Sequence, residues 1–162
     1  MSLVSHLKQT TYLAYLVLPR IAVGYFFLQV GWAKWNMQFL GTDALARQLS
    51  ESVLKDPLSW HRDFIQGVVI AHPGLFSYIV CFGEIAIGLS LMAGCLVRIS
   101  AAFGAFHNLN ILFAIAWAGS TSQFGLNLIC IALHLAFLWS GAGRVLGLDG
   151  FLKKKFPQSR LL

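Results

Sequence analysis

Charge is what this sequence has least of. Only 11% of its 162 residues are Asp, Glu, Lys or Arg, and six in all are acidic, whereas an ordinary soluble domain carries about 25% charged residues. A chain so poor in charge, with 57% apolar residues, is neither a disordered segment nor a typical soluble enzyme. Cysteine is scarce too. Cys81, Cys95 and Cys130 fall in apolar stretches without a Cys-x-x-Cys, which excludes a disulfide scaffold and leaves them as small packing residues. Phosphate loops, zinc signatures and nucleophile elbows are lacking, as are internal repeats. Strict apolar–polar alternation is missing, which argues against barrel strands. The class that remains is a multi-pass helical membrane protein of mean hydropathy +0.70, and the length suggests one domain.

A crossing helix needs roughly 20 mostly apolar residues. Four segments meet or approach this: about Tyr12 to Trp32, Leu75 to Val97, Ile99 to Trp117 and Phe124 to Ser140. The first is longer than a signal-peptide core and carries Arg20, so it reads as an uncleaved anchor. The fold class expected is all-α: an integral membrane four-helix bundle with a long external loop, Asn36 to Gly74. In that loop Thr42-Asp43 would cap a short helix with Leu45, Leu49 and Val53 on one face, ended by Asp56-Pro57. Phe64 to Ala71 is too short to span and would lie at the interface or fold back. His61 and His72 read as loop-surface residues, not metal ligands.

Charge bias sets orientation. Lys8, Arg98, Arg144, Lys153, Lys154, Lys155 and Arg160 fall on the side of the termini, while the opposite side dilutes its cations with Asp43, Glu51, Asp56 and Asp63. The positive-inside rule then puts both termini in the cytoplasm. The net charge of +6 reflects the lysines after the last span, which suit anionic lipid headgroups; nucleic acid is not an expected partner. Residues 1–152 form one four-span domain and 153–162 a basic cytoplasmic tail.

Polar groups inside the spans carry the chemistry. A charge at the bilayer centre costs about 2.5–3.5 kcal/mol on insertion scales, so such groups usually face the bundle interior. Arg20, Gly24, Phe27, Gly31 and Lys34 share one helix face. Arg20 is either snorkelling to the surface or packed inside. Glu84 lies near the centre of the second span, with Cys81 and Gly88 on its face. Arg20 is a candidate partner, and Glu84 is either half of a structural ion pair or a proton-handling carboxylate. The third span holds His107, Asn108 and Asn110; the fourth holds Asn127, Cys130 and His134 in one stripe. Three readings stay open: hydrogen-bonded packing, a polar pocket for a quinone headgroup, and bis-histidine haem. Haem needs nothing else from the sequence and is not the cofactor expected; no metal site is expected either.

Arg20 to Gly24 with Gly31-Trp32-Ala33-Lys34 resembles the opening of DoxX/DoxD-type membrane proteins. Gly83-Glu84 with Gly88, Gly94 and Arg98 resembles their second span, Asn108-Leu109-Asn110 is similar to their third, and Gly141-Ala142-Gly143-Arg144 with Leu148-Asp149 is similar to their ending. The resemblance covers about Pro19 to Leu152. It implies a four-helix bundle in a prokaryotic cytoplasmic membrane. DoxD is the membrane subunit of a thiosulfate:quinone oxidoreductase, working with a partner, DoxA, for which this chain shows no matching domain. The expected function is therefore a quinone-linked redox membrane subunit needing a redox partner protein, with quinone as cofactor. Glu84 and His107 would pass protons, and Arg20, Asn108, Asn110 and His134 would bind the headgroup. His107 and His134 lie outside the resembling motifs. The alternative is a non-catalytic accessory subunit of a larger respiratory or photosynthetic complex, with the polar groups as interhelical glue. A third option is a small-solute transporter, which would have to be an oligomer.

Overall fold

The computed structural model describes residues 13–159, and among these all regular structure is helical. Tyr12, Lys8 and Arg160, on which the first boundary and the charge bias partly rest, lie outside them. Helix α1 (Val17–Asn36) is followed by the short α2 (Ala44–Ser50) and α3 (Ser59–Phe64), then the long α4 (Pro73–Ala93), α5 (Val97–Ile111) and α6 (Thr121–Ser140), and last α7 (Leu148–Lys155). A π turn, Leu112–Ala116, continues α5. Among the described residues, three helical stretches are long and apolar enough to cross a membrane: α4, α5 with its π turn, and α6. Helix α1 has 20 residues, about 30 Å at 1.5 Å each, but Arg20, Gln29, Lys34 and Asn36 make it less apolar. It starts later than Tyr12 because Tyr15–Leu16 form a turn, and Pro19 then falls in the first helical turn, where a missing N–H costs no intrahelical bond.

The long helices stop for local reasons. Gly94 ends α4 in the left-handed region at φ 66°, where a glycine pays no Cβ penalty. Leu96 follows at φ 53°, and the chain reverses directly into α5. Helix α6 opens on a capping box between Ser120 and Gln123.

Packing is closest between α1 and α4 and next between α5 and α6. Glycines set the first of these seams. A Cβ on Gly88 would lie 2.6 Å from the Leu28 amide nitrogen and 2.8 Å from the Gly24 carbonyl oxygen, so backbone meets backbone there. The face predicted for α1 is the packed one: Arg20, Gly24, Phe27 and Gly31 are all buried. Helices α4 and α5 touch far less than either of those pairs, although one turn joins them. A cleft stands between them.

Each end of the molecule has its own cluster. At one end Val23, Phe27, Leu91, Val97, Ala101 and Phe137 pack together. At the other, Phe39, Leu45, Leu49, Val53, Ile65, Val69 and Ala114 do. The loop stripe Leu45, Leu49 and Val53 is thus buried as its spacing predicted, and the apolar Phe64–Ala71 segment folds back onto the same cluster through Ile65 and Val69. Asp43 makes no side-chain cap on α2; Thr42 Oγ1 accepts from the Ala44 amide instead, at 3.3 Å.

Candidate functional site

The cleft has a volume of about 1160 Å³, and its walls are largely apolar, with Phe26, Phe76, Ile79, Phe103 and Phe106 among them. Its polar groups include Lys34 from α1, Glu84 from α4, and His107, Asn108 and Asn110 from α5. Glu84 is 2% exposed, with Lys34 and His107 each about one fifth exposed. The Lys34 ammonium donates to Glu84 Oε1. His107 Nε2 lies 3.0 Å from the same oxygen, in donor position if Glu84 is ionised. Glu84 Oε2 has no hydrogen-bond partner among the described residues.

That asymmetry defines what the centre can do. One carboxylate oxygen is occupied twice and the other is left over in a buried setting, where an unmade hydrogen bond is costly. The ammonium has three donors, one of which is used on Glu84. A ligand that accepts at one atom and donates at another after reduction matches the free Lys34 donors and the free Oε2. An apolar ring with a long apolar tail matches the walls.

Not every expected site residue reaches this centre. Arg20 does not pair with Glu84. Its Nη1 donates to the carbonyls of Ala142 at 2.6 Å and Val145 at 3.2 Å, and Nη2 to that of Leu146 at 3.0 Å. It is fully buried, so it does not snorkel. Fourteen residues separate it from Lys34, about 21 Å along the helix, which is why the lysine and not the arginine meets Glu84. His134 is also fully buried but does not line the cleft. It packs edge-on against Phe27 at 5.2 Å under Gly104, where a Cβ would lie 2.3 Å from its ring; neither ring nitrogen has a partner among the described residues. Asn108 faces the cleft but spends its amide on the Gly104 carbonyl at 2.9 Å.

Asn110 leads elsewhere. Its Nδ2 donates to the Phe106 carbonyl at 2.7 Å, and its Oδ1 lies 3.0 Å from His61 Nε2. His61 Nδ1 in turn lies 2.5 Å from Asp56 Oδ2. The loop histidine is therefore buried, 4% exposed, contrary to its expected surface position, whereas His72 is exposed. Loop composition gave no sign of this; only Asp56 five residues before His61, an acid spaced to reach the ring, hints at it.

The segment that follows α6 explains the remaining glycine–arginine–aspartate pattern. Asp149 is buried; its Oδ1 accepts from the Leu96 amide at 2.6 Å and its Oδ2 from the Val97 amide at 3.0 Å, so it caps the start of α5. Burial lowers the pKa of Arg144 from its ordinary value, helped by nearby Arg98 and opposed by Asp149. Arg20 and Asp149 thus clamp the start of α1, the α4–α5 turn and the α7 segment into one end.

A family model described as "TQO small subunit DoxD" matches residues 15–161. No curated protein and no solved structure matches the chain.

Proposed function

Because the chain belongs to the DoxD family, we propose that it is the small membrane subunit of a thiosulfate:quinone oxidoreductase, with the cleft between α4 and α5 as its quinone site. The observation that carries the reading is Glu84, buried at the cleft with Lys34 and His107 on one carboxylate oxygen and the other oxygen unpartnered. The family description favours this redox reading over an accessory subunit.

A bound quinone would supply two-electron, two-proton redox chemistry at its carbonyl oxygens. The chain's own part is positioning and proton handling. Lys34 presents its remaining N–H donors to a carbonyl oxygen. Glu84 Oε2 accepts from, or gives a proton to, the ligand oxygen, and His107 exchanges that proton through Oε1. Phe26, Phe103 and Phe106 keep bulk water from the centre and hold an apolar tail. Asn108 and Asn110 shape the polar wall. Electrons come from thiosulfate through a partner subunit of the DoxA kind.

In this reading α1, α4, α5 and α6 all cross a prokaryotic cytoplasmic membrane as a four-helix bundle. The Arg20–Asp149 end faces the cytoplasm, and the lysines of α7 and the tail meet anionic headgroups. The short helices α2 and α3 stand outside.

The test is quinone content. The chain, purified in mild detergent, should carry close to one quinone per molecule after lipid extraction. Glu84→Gln and Lys34→Met should lose it at least about tenfold, the scale of one lost charge-assisted hydrogen bond, while unfolding traces confirm that both variants remain helical. A parent chain free of quinone, or variants as loaded as the parent, would overturn the reading.

A further inference from the structure

We propose that Asp56, His61 and Asn110 form the proton-delivery branch of the quinone site, feeding the Glu84–His107 centre from the loop end of the cleft. The inference rests on the quinone reading given above and adds the origin of the protons. Thiosulfate is a proton-free dianion at neutral pH, so it supplies electrons alone. Reducing one quinone to one quinol takes two electrons, one from each of two thiosulfates that couple through a new S–S bond into tetrathionate, and two protons from water, and those protons must cross the apolar walls.

The geometry supplies a way. Asn110 donates through Nδ2 to the Phe106 carbonyl, which turns its Oδ1, an acceptor, toward His61 Nε2. Asp56 Oδ1 accepts from the Leu58 amide, which leaves Oδ2 as an acceptor for Nδ1. Both ring nitrogens of His61 face acceptors, Asp56 Oδ2 at Nδ1 and Asn110 Oδ1 at Nε2, so a ring that takes up a second proton finds a partner for each N–H. Arg62 adds a cation to the same corner, its Nη1 3.4 Å from the Asp56 carbonyl oxygen. Helix α5 contributes Asn110 and its π turn Phe113, neither of which titrates, and Trp60 packs edge-on from α3.

His61 is buried one layer deep, since Pro57, Ser59 and Trp60 around it are exposed. On the inward side, Asn110 lines the cleft and His107 sits one turn below it on α5, about 4.5 Å along the axis. The relay requires a water there, between the Asn110 and His107 side chains. Protonated His61 gives Nε2–H to this water as Asn110 swings aside. The water passes a proton to His107, which hands one on to Glu84, and Asp56 holds the imidazole until a proton from the loop surface restores it; a second passage supplies the second proton. Asn110 is a positioning residue in this scheme; His61 carries the proton.

The probe is decylubiquinone bound to the purified full chain in detergent and reduced at an electrode. Proton uptake is followed with a pH dye, and infrared difference spectra are recorded on the same samples. His61→Gln keeps a hydrogen bond to Asn110 but carries no proton. It should retain decylubiquinone and slow proton uptake about 100-fold, the lower end of what a positioned acid–base group contributes. Imidazole in the buffer should restore the rate. Reduction-induced imidazole and carboxylate bands should vanish in His61→Gln and Asp56→Asn while the Glu84 band persists. Parent-like uptake and spectra in both variants would overturn the relay and leave the quinone site standing. Loss of bound decylubiquinone in His61→Gln would make His61 a structural residue and overturn it as well. A parent chain that binds no decylubiquinone would remove the quinone reading and the relay with it.

Discussion

Lys34 on α1 and Glu84 on α4, fifty residues apart, form an ion pair across the seam that Gly24, Gly31 and Gly88 hold tight. The glycines and the pair belong together. Only where the two backbones touch does a lysine near the end of α1 come within reach of a carboxylate near the middle of α4. The pair sits at the cleft because the neighbouring α4–α5 contact is loose.

Lys34→Met removes one partner and leaves Glu84 buried. Breaking a buried pair destabilises by about 3–5 kcal/mol where a charge is left uncompensated; His107 still meets Glu84 Oε1 and Lys34 is one fifth exposed, which sets the expected loss at the lower end. The double variant Lys34→Met with Glu84→Gln removes the stranded charge and should regain most of that loss. Reversible unfolding of the purified chain in mixed detergent checks it. Equal destabilisation in the single and double variants would mean that the pair is not what Lys34 contributes.

The seam itself predicts a contrast between two glycines five residues apart on α4. Gly88→Ala forces a methyl against the backbone of α1 and should cost about 1–3 kcal/mol, the usual penalty of overpacking. Gly83→Ala meets no atom within 4 Å and should change stability by less than about 0.5 kcal/mol. The same unfolding assay reads both.

Helix faces were legible in the sequence because side-chain period follows from helix geometry alone. The stripe of Arg20, Gly24, Phe27 and Gly31, the loop stripe of Leu45, Leu49 and Val53, and the unusual Glu84 all came from spacing and composition. Which groups meet across helices was not legible. Spacing puts Lys34 on the same face as Arg20 but offers Arg20 as the partner of Glu84, because spacing says nothing of how far one helix slides along another. The burial of His61 depends on the loop folding onto α5, a contact between segments 49 residues apart in sequence. Asp149 looked like part of an ending; that it caps α5 follows from a long-range turn no local pattern encodes.

Orientation follows from the proposed four crossings. In a chain whose three cysteines are replaced by serine, Gln158→Cys should react with a membrane-impermeant maleimide only after cells are opened, and Glu51→Cys should react in intact cells. Both positions are exposed. Helices α4, α5 and α6 lie between the two positions, so labelling of both from the same side would mean that the chain crosses an even number of times between them and that one of these three does not span.

Arg20 offers the sharpest separation of structural from chemical roles. Its guanidinium satisfies three carbonyls in the segment leading to α7, and the Ala142 carbonyl is buried with it. Arg20→Met strands that acceptor, at a cost of about 1–3 kcal/mol, and frees Val145 and Leu146 to find water. The 142–155 segment should then exchange its amide hydrogens faster, with Asp149 losing its hold on the Leu96 and Val97 amides as the segment lifts. Arg20→Lys should recover only part of the protection, since a single ammonium cannot reproduce a planar fork reaching three oxygens. Quinone content should stay at the parent level in both variants, because the clamp is about 21 Å along α1 from Lys34. If quinone were lost while exchange in 142–155 stayed slow, the arginine would belong to the headgroup site after all, and the clamp would be incidental to it.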